Sequence, residues 1–152
     1  MLKTIWAPLV PQHRPLFTGL KVLLVEDHDQ VRQSLVTLLQ ASGMTVLAAT
    51  CVLEALDLFQ AGAPQLIISD QGLPDGDGCG FIRKVRALGS QGIPALAVSA
   101  FFSPQAQTQA LRAGFDACLA KHDFDRLLDV LEELLERSTG SACPRVANGG
   151  RN

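Results

Sequence analysis

Short, unbroken apolar runs alternate along this chain with stretches in which apolar residues recur every three or four positions. Lys21–Val25 (KVLLV), Thr45–Ala49, Leu66–Ser69 (LIIS), Ala95–Val98 (ALAV) and Ala117–Ala120 (ACLA) read as strands. Their continuity, without polar alternation, is the mark of strands covered on both faces. Between the first two, Val31, Leu35, Leu38 and Leu39 keep helical spacing. Asp29 is the expected cap of that helix, and Gly43 fits the left-handed position after its end. Thr50 is the expected cap of a second helix running through Ala61, with Leu53, Leu56 and Phe59 on its buried side and Gly62 just past it. The segment Gln71–Gly80 (QGLPDGDGCG) is too rich in Gly, Asp and Pro to be regular throughout. A third helix follows from Gly78 to Leu88, carrying Phe81, Ile82 and Val85. Ser103-Pro104 supplies an N-cap and a first-turn proline for a fourth helix that reaches Ala113 and stops at Gly114. After Asp123, the stripe Phe124, Leu127, Leu128, Leu131, Leu134 and Leu135 marks the fifth helix and reads as core.

Five strand–helix units joined by short connections predict an α/β fold with helices on both faces of a parallel sheet. A closed eight-fold barrel needs about 250 residues, far more than the 152 present. The remaining solution is a doubly wound five-stranded parallel sheet of flavodoxin-like order 2-1-3-4-5, with five helices. One domain over residues 20–137 accounts for all of these elements. Residues 1–19 contain three prolines and no helical period, which predicts an arm or linker. Residues 138–152 (STGSACPRVANGGRN) hold too little apolar surface to pack and are expected to be a disordered tail.

Charge sharpens this division. Residues 20–137 carry nine basic and fifteen acidic side chains, a balance of −6, while each flank adds +2. An acidic body lacks the basic patch that nucleic-acid binding requires, so no direct nucleic-acid partner is expected. Cys51, Cys79, Cys118 and Cys143 form no C-x-x-C pair and select no pairing among the three available. No signal peptide or membrane-spanning apolar stretch is visible. The expectation is a cytoplasmic protein with free thiols and no membrane association.

The chemistry lies at the strand ends. The first apolar run ends in Glu26-Asp27, the third in Asp70, the fourth in Ser99 and the fifth in Lys121. Open parallel sheets bind ligands beyond the carboxyl ends of their strands. Three carboxylates, a hydroxyl and an ammonium are therefore aimed at one place. Crowded carboxylates call for a divalent cation, and oxygen donors suit Mg²⁺. Lys121 and Ser99 are then placed to hold the oxygens of a phosphoryl group. Taken singly, each position has an ordinary reading: a polar strand end, a turn cap, local turn chemistry, a solvated lysine. Their recurrence at successive strand ends is what favours a shared site.

Over residues 20–137 the chain resembles the receiver domain of two-component response regulators and hybrid histidine kinases. The resemblance rests on Val22–Asp27 (VLLVED), Ile67–Pro74 (IISDQGLP), Val98–Ala100 (VSA) and Gly114–Lys121 (GFDACLAK). It implies that Asp70 accepts a phosphoryl group from a histidine on a kinase or phosphotransfer protein. It also implies Mg²⁺ held by Asp27, Asp70 and the backbone carbonyl of Gly72, with Glu26 supporting through water. Ser99 and Lys121 would bind phosphate oxygens. Such a module is a signalling domain that catalyses only its own phosphorylation and dephosphorylation. The expected partner is a histidine kinase or a histidine phosphotransfer protein, and a homodimer through the fourth and fifth helices is open.

Departures from the family pattern bear on switching. His122 stands where a proline usually follows the lysine, so a trans bond and a shifted loop are expected there. Cys118 replaces the usual aromatic residue, which makes Phe101 and Phe102 the candidates for carrying a conformational signal. With only the fifteen residues 138–152, mostly polar or small, after the expected last helix, no attached output domain is expected, whether as a stand-alone regulator or as a receiver excised from a hybrid kinase. Cys118 and His122 leave a second reading open, a pseudo-receiver that binds partners without phosphorylation. A metal-dependent small-molecule phosphatase is weaker, because its D-x-D motif would need an acid at Gly72.

Overall fold

Parallel pairing sets the architecture seen in a computed structural model, which describes residues 14–90 and 92–138. The five strands are β1 (Lys21–Val25), β2 (Thr45–Ala49), β3 (Leu66–Asp70), β4 (Ala95–Ser99) and β5 (Ala117–Ala120). They form one sheet in the order β2-β1-β3-β4-β5, all parallel. Five α-helices connect and follow them: α1 (Asp29–Ala41), α2 (Val52–Gly62), α3 (Gly78–Ala87), α4 (Pro104–Ala113) and α5 (Leu127–Ser138). This is the doubly wound order expected from the sequence.

The two faces of the sheet build separate cores. Val22, Leu24, Ile68, Leu96 and Leu119 pack against α1 and the leucines of α5. Leu23, Val25, Ile67, Ala95 and Ala97 pack beneath α2, α3 and α4. The strands in the middle are buried on both sides, whereas Thr45 and Ala48 of the edge strand β2 are exposed. The second core is made of smaller residues, and α4 buries only Ala110 and Ala113.

Helix ends show where local sequence and tertiary packing compete. Ser103 accepts from the Ala106 N–H at 3.0 Å with Pro104 behind it, as expected. Gly43 and Gly114 take positive φ angles, 108° and 133°, after α1 and α4. The cap of α1 is His28 rather than Asp29; Asp29 instead pairs with Arg32 at 2.6 Å. Cys51 rather than Thr50 occupies the cap position of α2, and Leu53 is 66% exposed, its place on the buried side taken by Val52 and Ala55. Gly62 lies inside α2, and Ala63 adopts the left-handed conformation at φ 49°. The glycine serves packing there, since a Cβ at Gly62 would sit 2.5 Å from the Leu47 side chain. A 3-10 turn, Lys121–Arg126, precedes α5, so Phe124 leads into the helix without belonging to it.

Residues 14–19 join the packed structure. Phe17, placed in the expected arm, is completely buried against the α1 and α5 side. Arg14 lies 5.7 Å over its ring and reaches Asp129 at 2.9 Å and Glu132 at 2.7 Å on α5. The rest of the expected arm, residues 1–13, and residues 139–152 of the expected tail lie outside the described residues. Phe17→Ala should therefore lower unfolding stability in urea by about 3 kcal/mol, while Leu53→Ala changes it by under about 0.5 kcal/mol. A Phe17→Ala loss below about 1 kcal/mol would show that the segment merely drapes over the domain.

Candidate functional site

Register brings the site together. Val25 pairs with Ser69, so Glu26 and Asp70 emerge side by side from β1 and β3. Asp70 lies opposite Val98, and Ser99, one step further, lies opposite Ala120, the residue before Lys121. One-residue steps across four central and edge strands thus gather residues spread from Glu26 to Lys121.

Glu26, Asp27 and Asp70 each offer a carboxylate oxygen, and the three atoms lie within 4.8 Å of one another. Glu26 is fully buried, Asp70 is 8% exposed and Asp27 faces solvent. The Lys121 ammonium stands 3.0 Å from Glu26 Oε1 and 3.4 Å from Asp70 Oδ2. Burial pushes the Glu26 carboxyl above its ordinary value, with the Lys121 contact opposing and the Asp70 charge adding to the rise. For Lys121, burial acts to lower the pKa, but Glu26 and Asp70 outweigh it and the net shift is upward. Lys121 is therefore a firmly held cation and not a proton donor near neutral pH.

Backbone amides complete the setting, and these the sequence pattern did not reveal. The His28 N–H donates to Glu26 Oε2 at 3.1 Å, and the Gln71 N–H donates to Asp70 Oδ1 at 2.8 Å. Arg32 donates to the Glu26 carbonyl at 3.1 Å. Main-chain donors carry no residue signature, so only the fold locates them. Behind Asp70, a Cβ at Gly78 would fall 2.6 Å from the Asp70 carbonyl oxygen and 2.8 Å from the Gln71 side chain. Only glycine lets α3 start that close to the end of β3.

The other expected residues are distributed around this centre. Gly72 is exposed, in a two-residue antiparallel ribbon that pairs Gly72–Leu73 with Gly76–Asp77. Ser99 is half-buried at the end of β4. Phe101 is 71% exposed, whereas Phe102 is 9% exposed and shares a core with the half-buried Cys118. Burial pushes the Cys118 and Cys79 thiols up, and Cys51, Cys79 and Cys118 are free. Cys143 lies outside the described residues. No cis peptide occurs among the described residues, so the bond after Lys121 is trans.

The donor set fits a small hard cation. Glu26 Oε1 is fully buried and, although at ion-pair distance from Lys121, receives no hydrogen bond. Three carboxylates gathered around a single ammonium leave net negative charge, which suits an ion of the Mg²⁺ type that takes oxygen ligands and retains several waters.

The response regulator receiver domain matches residues 22–132. The chain belongs to this family. The receiver is 40% identical over 124 residues to the KDP operon transcriptional regulatory protein KdpE of Escherichia coli, covering 81% of this chain and 54% of KdpE. It is 34% identical over 126 residues to the response regulator Rre1 of Synechocystis, again covering 81% of this chain and 54% of the relative. The chain thus spans about half the length of these two proteins. Among solved structures, a CheY-like receiver domain protein from Methanospirillum hungatei superposes with a TM-score of 0.76 at 25% identity, covering 82% of this chain and 99% of the other. The Francisella response regulator 1452 receiver domain gives 0.73 at 26% identity, covering 79% and 99%. Receivers are signalling domains of two-component systems. No helix among the described residues is long and apolar enough to cross a membrane.

The raised Glu26 pKa has a definite sign in stability. A carboxyl easier to protonate in the folded than in the unfolded state favours folding below its unfolded value of about 4.5, and that contribution is lost as pH rises through the folded value. Lys121 titrates above 10.5 and stays charged over that range. Without divalent ions, Glu26→Gln should thus gain stability relative to wild type as pH goes from 4.5 to 7 in urea titrations. A difference independent of pH would contradict the assignment of Glu26 as a buried charge.

Proposed function

We propose that this receiver accepts a phosphoryl group on Asp70 from a phosphohistidine of a kinase or phosphotransfer protein, in a Mg²⁺-dependent reaction. The observation that carries this reading is the convergence of the Glu26, Asp27 and Asp70 oxygens within 4.8 Å, with Lys121 on two of the three groups. In the transfer, the donor's phosphorus–nitrogen bond breaks and its electron pair stays on the imidazole, while an Asp70 carboxylate oxygen forms the new phosphorus–oxygen bond. Asp27, Asp70 and the Gly72 carbonyl would hold the ion, with Glu26 supporting through water. A bound Mg²⁺ supplies charge neutralisation, the main need of phosphoryl transfer.

The protein's own groups do the positioning. The Gln71 N–H fixes one Asp70 oxygen, which orients the carboxylate as acceptor. Lys121 is available to a phosphoryl oxygen, and Ser99 adds a hydroxyl donor on the neighbouring strand. With Mg²⁺ and acetyl phosphate, intact-mass measurement should show a phosphoryl adduct on wild type and none on Asp70→Asn. Asp27→Ala should lose most Mg²⁺ binding by calorimetry and remain folded, because Asp27 is exposed and leaves no core cavity. A stable adduct on Asp70→Asn, or unchanged Mg²⁺ affinity in Asp27→Ala, would sink the reading.

Phosphorylation adds about −1.5 to −2 charge and three strong acceptors, and Ser99 and Lys121 lead into the segments before α4 and α5. We place the readout there. Phe102 shares its packing with Cys118, so it is the ring that moves against β5, while exposed Phe101 presents the change to a partner. The same α4 and α5 surface would serve a homodimer. Beryllofluoride loading should shift nuclear magnetic resonance signals across residues 101–115 and α5. Shifts confined to the neighbourhood of Asp27 and Asp70 would rule this out.

A further inference from the structure

A carboxylate that the proposed chemistry leaves unused holds the phosphorylation loop to a neighbouring helix. Asp75 lies between the two halves of the Gly72–Asp77 ribbon. Its Oδ1 accepts from the Val52 N–H at 2.7 Å and its Oδ2 from the Leu53 N–H at 3.0 Å. These are the first two N–H groups of α2, which have no partner within the helix. The helix end is otherwise closed by local groups. Cys51 Sγ accepts from the Glu54 N–H at 3.5 Å, and the Glu54 carboxylate accepts from the Thr50 N–H at 2.7 Å. What Asp75 adds is a tie between segments 22 and 23 residues apart. The two backbone hydrogen bonds hold its carboxyl below the usual carboxylate range. The ribbon also touches the helix directly, since a Cβ at Gly76 would stand 3.3 Å from Val52. Nothing comes within 4 Å of a Cβ at Gly72, so packing at that position does not fix the loop.

We infer that Asp75 is a positioning residue for divalent-ion binding: its two-pronged cap on α2 holds the ribbon so that the Gly72 carbonyl is presented to the Glu26, Asp27 and Asp70 cluster. This rests on reading that cluster as the Mg²⁺ site. Asp75 touches neither the ion nor the phosphoryl group; it acts through Leu73 and Pro74, the two residues separating it from Gly72. Support of this kind around a metal centre commonly changes affinity by about tenfold or more.

The test is calorimetric titration of the full chain with Mg²⁺, alongside amide exchange at Val52 and Leu53. Asp75→Ala should bind Mg²⁺ about tenfold more weakly and expose both amides to faster exchange. Asp75→Asn retains one acceptor oxygen and should fall between the two; it decides the matter if Asp75→Ala does not fold. Adding Cys51→Ser to Asp75→Ala supplies a stronger oxygen cap, which should recover stability of α2 but not Mg²⁺ affinity. Unchanged affinity in Asp75→Ala with fast-exchanging amides would overturn the inference and leave Asp75 a helix cap alone. Recovery of affinity by Cys51→Ser would overturn it as well. A wild type that binds no Mg²⁺ brings down the reading of the cluster itself, a result distinct from wild-type binding that Asp75→Ala leaves untouched.

Discussion

Burying a carboxylate with no countercharge costs several kcal/mol, and this receiver buries Glu26 completely at the end of β1, beside the central strand β3. Lys121 makes that placement tolerable from the far end of β5. Because its ammonium touches both Glu26 and Asp70, three strands must hold their register for the contact to exist. A slip of any one strand would separate the charges and strand an acid in the core. The ion pair is therefore less a source of net stability than a demand for one arrangement, and the same arrangement gives Asp70 its surroundings.

The sheet order and the converging strand ends were legible because both follow from rules that act along the chain. Continuous apolar runs of about five residues leave one parallel solution, and the residue after each run must then lie on one edge. Asp70 and Lys121 needed no tertiary information to be paired. What escaped was set by contacts between distant segments. Gly62 looks like a helix stop by composition, yet it is small because Leu47 presses on it. Leu53 fits the apolar period of α2, but the helix is rotated so that Val52 and Ala55 are the buried positions and Leu53 is exposed. Asp75 stood in a run of turn-forming residues that gave it an ordinary local role, and its partners lie in another helix. The amides of His28 and Gln71 have no side-chain signature at all.

Two helices on opposite faces of the sheet are held with unequal strength. On one, α5 sets five buried leucines against the strands. On the other, α4 rests on two alanines. Apolar stabilisation scales with area removed from water, so α4 is retained by much the smaller share. An element that few contacts hold can be shifted at little cost, and α4 is the helix entered directly from Ser99. Loose packing and proximity to the hydroxyl coincide in the same element.

Phe17 and Arg14 make the entrance to the domain part of its packing. The chain approaches β1 by way of the outer helix, seats an aromatic ring beneath it and clips two of its acids before the first strand begins. A graft joining this sheet to another module at Leu20 would thus remove part of the interior along with the leader. It would leave an open apolar hollow under the last helix, and the grafted product would be prone to stick to itself there. A seam for modular exchange has to leave Arg14 and Phe17 with the domain.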